Sequence, residues 1–130
     1  MSEEFKIDII NPDKSFYSSE VVKEVVIPAF EGEIGILKDH IPIISFLKPG
    51  IIKIKLNNTE EAFYVEDGII EFKDNLLSIL TSSIIDIKKF EKSQLSENLK
   101  NAEKELENKD LNDQDHYLAS QKVEVLKTIN

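Results

Sequence analysis

The sequence contains no cysteine and no arginine, and it has only four glycines and four prolines among 130 residues. The lack of cysteine excludes disulfides, thiolate catalysis and cysteine-ligated zinc. All sixteen basic residues are lysine, which excludes bidentate guanidinium clamps on phosphate. Neither a P-loop (Gly-x-x-x-x-Gly-Lys-Ser/Thr) nor a zinc helix (His-Glu-x-x-His) is present. The usual sequence signals of catalysis are therefore missing.

The charge is strongly negative, with a net value of −9 and a pI near 4.7. Such a balance disfavours nucleic acid and anionic lipid as direct partners. The acidity belongs to residues 1–86, which carry −8, whereas residues 87–130 carry −1. No apolar N-terminal signal segment is visible, and the apolar runs are too short to span a bilayer. We therefore expect an intracellular, soluble protein that reaches a membrane only through a partner.

Residues 1–86 are predicted to form an antiparallel β-sandwich of many short strands, because short apolar runs alternate with turn residues. Phe5, Ile7 and Ile9 alternate with polar residues and should share one buried face. A β-branched strand is predicted from Val21 to Ile27, ending at Pro28. Turns are predicted at 11–14, 57–58, 67–68 and 73–75.

The stretch 31–50 holds three of the four glycines. Gly32 and Gly35 predict a tight loop between short strands. Pro49-Gly50 is typical of a type II turn, in which glycine takes a positive φ. Between these signals, residues 41–47 are predicted to form a buried strand.

Residues 87–130 are predicted to form an antiparallel α-helical hairpin, since they contain neither glycine nor proline. An interruption at 108–112 separates the two helices, and Asn112 is the predicted N-cap of the second. Two such helices cannot bury their apolar faces alone, so they must lie against the sandwich or another protein. The sequence leaves open whether the hairpin is permanently docked or movable. The predicted apolar faces are Leu95, Leu99, Ala102 and Leu106 in the first helix, and Leu118, Lys122, Val125 and Ile129 in the second, with Ala119 and Leu126 beside them.

Candidate reactive groups are few. His40 beside Asp39 could act as a base with an orienting carboxylate, but packing at an interface is the simpler interpretation. Glu31 and Glu33 could form an acid–base pair, although carboxylates flanking a glycine are more often a docking contact. A metal site built from Glu31, Glu33 and Asp39 is disfavoured because it lacks imidazole ligands, and His116 reads as a solvated residue. A small hydrolase centred on His40 therefore stays the weaker hypothesis.

A family resemblance rests on three segments in order: Glu31 to Leu37 (EGEIGIL), His40 to Ile44 (HIPII), and Leu47 to Gly50 (LKPG). Together with the late glycine Gly68 and the C-terminal helical pair, they resemble the epsilon subunit of F-type ATP synthases. The resemblance implies a non-catalytic central-stalk subunit without cofactors or metals, on the cytoplasmic face of the bacterial inner membrane. It would couple proton-driven rotation to ATP synthesis. The alternative is a generic protein-interaction adaptor.

The resemblance also implies partners and contact residues. Glu33 would contact the rotor ring of the membrane sector, Gly32 and Gly35 would shape its loop, and His40 would face the gamma subunit. The C-terminal helices would reach the alpha and beta subunits and inhibit ATP hydrolysis. They would thus form a regulatory element over 87–130, beside a docking domain over 1–86.

Two departures from the family pattern matter. Lys38-Asp39 stands where the family usually has Pro-Gly, which changes the local turn, and Asp67 stands for a usual glycine. Some relatives bind ATP through an Ile-Asp pair followed by arginine and alanine. Here Ile85-Asp86 is followed by Lys89 and Phe90, so we expect weak or no ATP binding.

Overall fold

The computed structural model describes residues 3–12 and 14–129. Residues 1–2 of the predicted sandwich, residue 130 of the predicted hairpin and Asp13 of the predicted 11–14 turn lie outside this range. Within it, ten strands are followed by a short 3-10 helix (Ile87–Lys89) and two α-helices. The strands are β1 Phe5–Asn11, β2 Lys14–Val22, β3 Glu24–Ala29, β4 Gly32–Ile36, β5 Ile43–Leu47, β6 Gly50–Lys55, β7 Glu60–Val65, β8 Gly68–Lys73, β9 Leu76–Leu80 and β10 Ile84–Asp86. The helices are α1 Lys92–Glu107 and α2 Asp113–Thr128.

The strands form one curled sheet in the order β10-β7-β6-β3-β5-β8-β9-β1-β2, with β4 paired to β3. The sheet closes on itself because Phe16 and Tyr17 of β2 pack their rings against Phe63 of β7, at 5.4 and 5.3 Å between centroids. The predicted α+β class, a β-sandwich followed by a helical hairpin, is confirmed. One pair departs from the antiparallel pattern: β1 runs parallel to β9, with Ile7 opposite Leu77.

The interior of the sandwich is filled by every second side chain of its strands, the ones that face inward. Phe5, Ile7 and Ile9 are all buried, as their spacing predicted. Phe5 meets Phe72 edge to face, with ring centroids 5.6 Å apart. Such aromatic pairs add about 0.5–1.5 kcal/mol beyond the burial of their area. This core fixes the strand register, because a slip by one residue would turn every buried side chain outward.

The hairpin follows the prediction in outline. Asn112 caps α2 by accepting a hydrogen bond from the backbone N–H of Asp115 at 2.7 Å. In α1 the predicted face is confirmed, with Ala102 buried. In α2 the predicted row holds only in part, because Leu118 and Lys122 are partly exposed whereas Ile129 is buried. The buried positions within α2 are Ala119 and Leu126, which were predicted to lie beside the row, and Val123, which was not predicted. Their i, i+4, i+7 spacing is an equally good helical face, and contact with the sheet selects it.

Three local predictions in the sandwich were also wrong. The segment 21–27 is broken at Lys23, so that β3 begins at Glu24 and continues through Pro28 to Ala29. Gly35 lies inside strand β4 and not in a loop. Gly50 does not take a positive φ, which excludes the type II turn. Glycine is needed there because a Cβ would lie 2.4 Å from the Cβ of Pro28.

Candidate functional site: protein docking surfaces

The strand register places the connections of the sandwich at two opposite ends. Ala29 pairs with Leu47, and Leu47 pairs with Gly68. The turns at 30–31, 48–49 and 66–67 therefore meet at one end, which we call the acidic end because Glu31, Glu33, Glu66 and Asp67 lie in or beside them. The predicted site residues do not all belong to it.

His40 lies near the opposite end. The neighbouring Asp39 takes a φ of 67° and exchanges two hydrogen bonds with Asn75 of the β8–β9 turn, at 2.7 and 2.9 Å. Aspartate thus makes the turn where the family usually has glycine. The Nδ1 of His40 lies 2.7 Å from the carbonyl oxygen of Ile41, and its ring packs edge to face on Phe72. Because the Asp39 carboxylate is bonded to Asn75, these contacts do not make the acid–base pair that a hydrolase would use.

Glu31 and Glu33 differ in their surroundings, although both are exposed. The hydroxyl of Ser45 in β5 donates to the Glu31 carboxylate, with its oxygens at 2.7 and 2.6 Å. Glu33, in contrast, stands at the edge of a groove between the acidic end and α2, which Lys48 and Glu124 also line. Gly32 between them takes a φ of 131°, which explains the need for glycine at this point of the hairpin. The two carboxylates are thus not an equivalent pair.

A row of exposed apolar side chains crosses four neighbouring strands on the outer face of the sheet. Phe46 of β5 pairs with Ile69 of β8, Ile69 with Leu80 of β9, and Leu80 with Ile10 of β1. Side chains at such positions lie about 4.5–5.5 Å apart at their Cβ atoms. Each is between 37% and 57% exposed. We call these four residues the apolar stripe.

The apolar stripe overturns the prediction of a fully buried strand over 41–47. In β5, Ser45 and Leu47 face inward, whereas Ile44 and Phe46 are exposed, at 68% and 57%. A continuous apolar run does not distinguish a strand buried on both faces from one whose outer face awaits a partner. The signal that could have found the stripe is an apolar residue at one outward position in each of three strands, namely Phe46 in β5, Ile69 in β8 and Leu80 in β9.

The hairpin is docked on the sandwich through a small separate core, the hairpin core, formed by Tyr64, Ala102, Val123, Leu126 and Ile129. Polar contacts surround it. The Tyr64 hydroxyl donates to Glu66 at 2.9 Å, and Lys122 lies 4.0 Å from Glu66 and 3.4 Å from Glu105. Burial, reinforced by the nearby Glu66 carboxylate, raises the pKa of Tyr64 above its ordinary value of 10.0. Through its contacts with Glu66 and Glu105, Lys122 of α2 connects the sandwich to both helices.

The residues at the positions that bind ATP in some relatives have structural contacts here. Asp86 caps the 3-10 helix by accepting from the backbone N–H of Lys88 at 2.9 Å. Phe90 packs on Tyr64, with centroids 6.0 Å apart. Weak or absent ATP binding stays a prediction.

The described residues contain neither a cluster of metal ligands nor a membrane-spanning helix. Within the described part of the chain, no three His, Asp or Glu side chains gather closely enough to hold a metal ion. None of the helices in residues 3–12 and 14–129 is both long and apolar enough to cross a membrane.

Comparison with known proteins identifies the family. Residues 4–87 match the family model described as ATP synthase, Delta/Epsilon chain, beta-sandwich domain. The ATP synthase epsilon chain of Pelagibacter ubique (strain HTCC1062) is 64% identical over 130 residues, which covers all of both chains. This chain belongs to the ATP synthase epsilon-chain family. The epsilon chain of Dichelobacter nodosus (strain VCS1703A) is 37% identical over 111 residues, covering 85% of this chain and 77% of that one.

Solved structures share the epsilon-chain fold at low sequence identity. A chain of the Euglena gracilis mitochondrial ATP synthase, in a structure of its OSCP/F1/c-ring, superposes with a TM-score of 0.75 at 17% identity. The match covers 98% of this chain and 79% of that one. A chain from the central stalk and c-ring of the Tetrahymena thermophila mitochondrial enzyme gives 0.66 at 16% identity, covering 98% and 96%.

The epsilon-chain assignment settles the class of function. Epsilon chains are structural and regulatory components of ATP synthase and not its catalytic subunit, so the adaptor and hydrolase hypotheses are not supported. Sequence reasoning pointed to the acidic end as a docking contact but missed the apolar stripe. The apolar stripe and the acidic end are exposed surfaces, whereas the hairpin core is a buried contact between the hairpin and the sandwich.

Proposed function

We propose that this epsilon chain is a coupling element of the central stalk, held by a shaft subunit on one face and by the rotor ring at one end. The observation that carries the proposal is the apolar stripe beside the acidic end. Both are built on the same sheet, so torque received at one surface reaches the other through backbone-paired strands. The chain would sit peripherally on the cytoplasmic face of the bacterial inner membrane and touch the bilayer only through its partners.

The apolar stripe is the proposed docking surface for the gamma subunit. It comprises Phe46, Ile69, Leu80 and Ile10, and it borders a polar row in which Glu71 and Asp8 lie next to Ser78. An apolar centre with a polar rim is the usual anatomy of a protein interface. Exposed apolar rows of this kind are rarely left uncovered in the assembled state. His40, near the opposite end from Glu33, would add an edge contact to the same subunit.

The acidic end is the proposed contact with the rotor ring. Glu33 stands exposed beside Gly32, whose positive φ sets the direction in which the chain leaves the turn. An exposed carboxylate suits a basic or polar loop on the ring, because charge complementarity sets orientation and association rate. Gly35 in β4 would help this contact, because it leaves the strand without a side chain beside Glu33.

The hairpin is the proposed regulatory element. Its docked position buries only a small core against the sandwich, so exchange with a second position along gamma, in contact with the alpha and beta subunits, needs few contacts to be broken. Deleting residues 88–130 should therefore raise ATP hydrolysis by the assembled enzyme while leaving assembly intact. Unchanged hydrolysis would mean that the hairpin is structural only.

The gamma contact can be tested by pull-down with an isolated gamma subunit. Ile69→Lys places a charge in the middle of the apolar stripe and should weaken binding by about tenfold or more, as expected for a central interface position. Val21→Lys is the matched control, since Val21 is also exposed, at 48%, but lies on β2 outside the stripe. Equal binding by the two variants would contradict the proposal.

A further inference from the structure

Ser45 is unusual in this sandwich because it is a polar side chain facing the interior. It is only 4% exposed and sits in β5 between the inward positions of an apolar strand. Its hydroxyl has one hydrogen, which is shared between the two oxygens of the Glu31 carboxylate at 2.7 and 2.6 Å. Hydrogen bonds to an ionised acceptor are roughly twice as strong as neutral ones. The Glu31 carboxylate is therefore bound from within the chain.

This contact anchors the β3–β4 turn to a strand that is not its hairpin partner. Two backbone bonds join the same segments: the N–H of Phe30 donates to Phe46, and the N–H of Lys48 donates to Pro28, each at 3.0 Å. Both lie before Glu31 in the turn. The side chain of Glu31 extends the anchoring by one more residue, directly before Gly32. The turn is thus fixed on the side from which Glu33 emerges.

We propose that Glu31 is a positioning residue, whose bond from Ser45 holds the β3–β4 turn so that Glu33 meets the rotor ring in one orientation. The inference rests on the proposed ring contact of Glu33. The two glutamates of the acidic end then have different roles. Glu33 supplies the charge that the partner meets, and Glu31 supplies rigidity. Glu31 needs only an acceptor oxygen for this role, whereas Glu33 needs its charge.

That difference can be measured with ATP synthase reconstituted in vesicles, as protons pumped per ATP hydrolysed. Glu31→Ala and Ser45→Ala should each lower the ratio by about half, because the turn loses its anchor, while the amount of epsilon chain bound stays unchanged. Glu31→Gln keeps an acceptor oxygen and Ser45→Thr keeps a hydroxyl, so both should retain most of the ratio. Glu33→Gln should lose as much as Glu33→Ala.

Hydrogen exchange on the same complexes provides the second measurement. Amides 30–33 should exchange about tenfold faster in Glu31→Ala and Ser45→Ala, as expected from the loss of a hydrogen bond to a charged group. The double variant should be no worse than either single one, because both remove the same bond. Glu60→Ala is the matched control, an exposed glutamate at the start of β7 at the opposite end.

The outcomes separate the inference from the proposal beneath it. If Glu33→Ala leaves the pumping ratio unchanged, the ring contact of Glu33 is wrong and the positioning role falls with it. If Glu33→Ala lowers the ratio but Glu31→Ala and Ser45→Ala do not, only the positioning role is overturned. If Glu31→Gln lowers the pumping ratio as much as Glu31→Ala, then Glu31 acts through its charge and the proposed difference between the two glutamates is wrong.

Discussion

The sandwich and the hairpin are held in place by very different amounts of buried surface. Among the described residues, sixteen buried apolar side chains form one continuous core inside the sandwich. The hairpin core has five, and one of them, Tyr64, belongs to the sandwich. Since burying a large apolar side chain contributes about 1.5–3 kcal/mol, the hairpin can detach at a fraction of the cost of unfolding the sandwich. We therefore expect the hairpin to be released more easily than the sandwich unfolds.

The largest expected effect comes from the sandwich core. Phe72→Ala removes a ring that contacts Phe5 and His40, and it should lower the free energy of unfolding by about 3–5 kcal/mol. Denaturant titration should show both parts of the chain unfolding earlier. Loss of the hairpin alone, with the sandwich unchanged, would contradict the comparison.

A smaller and local effect is expected from the hairpin core. Leu126→Ala should weaken docking by about 2–3 kcal/mol, because Leu126 is 1% exposed against the sheet. Hydrogen exchange should speed up in α1 and α2 and stay unchanged in the strands. Leu118→Ala on the neighbouring row of α2 is the control and should have a clearly smaller effect; an equal effect would restore the row expected from the sequence.

The next effect depends on pH. The raised pKa of Tyr64 means that the docked state holds the phenol proton more tightly than an undocked state with an ordinary value near 10. The stabilisation is fully present below pH 10 and is lost as the pH rises above it, by up to about 1.4 kcal/mol per pH unit. The protection of the hairpin amides against hydrogen exchange, relative to their rate in an unfolded chain at the same pH, should follow this trend in the wild type.

The variant Tyr64→Phe distinguishes the contribution of the phenol to this pH dependence from the contributions of the neighbouring charged groups. The charged groups near the hydroxyl are Glu66 and Glu105, and Lys122 contacts both of them. The variant keeps all three of these charged groups, so the part of the alkaline loss that disappears belongs to the phenol. An identical pH profile in the two proteins would exclude the contribution of Tyr64.

The smallest effect is expected from the ionic contacts. Lys122→Gln removes the contacts with Glu66 and Glu105, and because such exposed pairs contribute little, docking should weaken by no more than about 1 kcal/mol. The wild-type hairpin should also loosen as salt rises, whereas the variant should respond less. A salt response that is the same in both proteins would assign no role to Lys122.

Sequence reasoning succeeded where a residue's role is local. The alternation of Phe5, Ile7 and Ile9, the Asn112 cap and the turn at 73–75 were all readable, because each depends on neighbours in the chain. Asp74 and Asn75 both take a positive φ there, which suits a two-residue hairpin.

Sequence reasoning failed where the role depends on residues far along the chain. Gly50 is required by Pro28, twenty-two residues earlier, and not by its own turn. Phe46 is exposed because of what β5 pairs with, which its apolar neighbours do not reveal. Ser45 and Glu31 form a bond across two strands that no spacing rule predicts. The turn at Gly32 could therefore be read from the sequence, whereas the different surroundings of Glu31 and Glu33 could not.

The parallel pairing of β1 with β9 has a consequence for how the chain is made. During synthesis the β1–β2 hairpin leaves the ribosome before the other strands, but β9, the second neighbour of β1, appears only when residues 76–80 follow. Closing such a long loop makes completion of the sandwich a late event. The helices emerge after the strands and meet a folded sandwich. Nascent chains stalled at Asn75 should be protease-sensitive, and chains stalled with Asp86 exposed should resist, if translation and folding are ordered in this way.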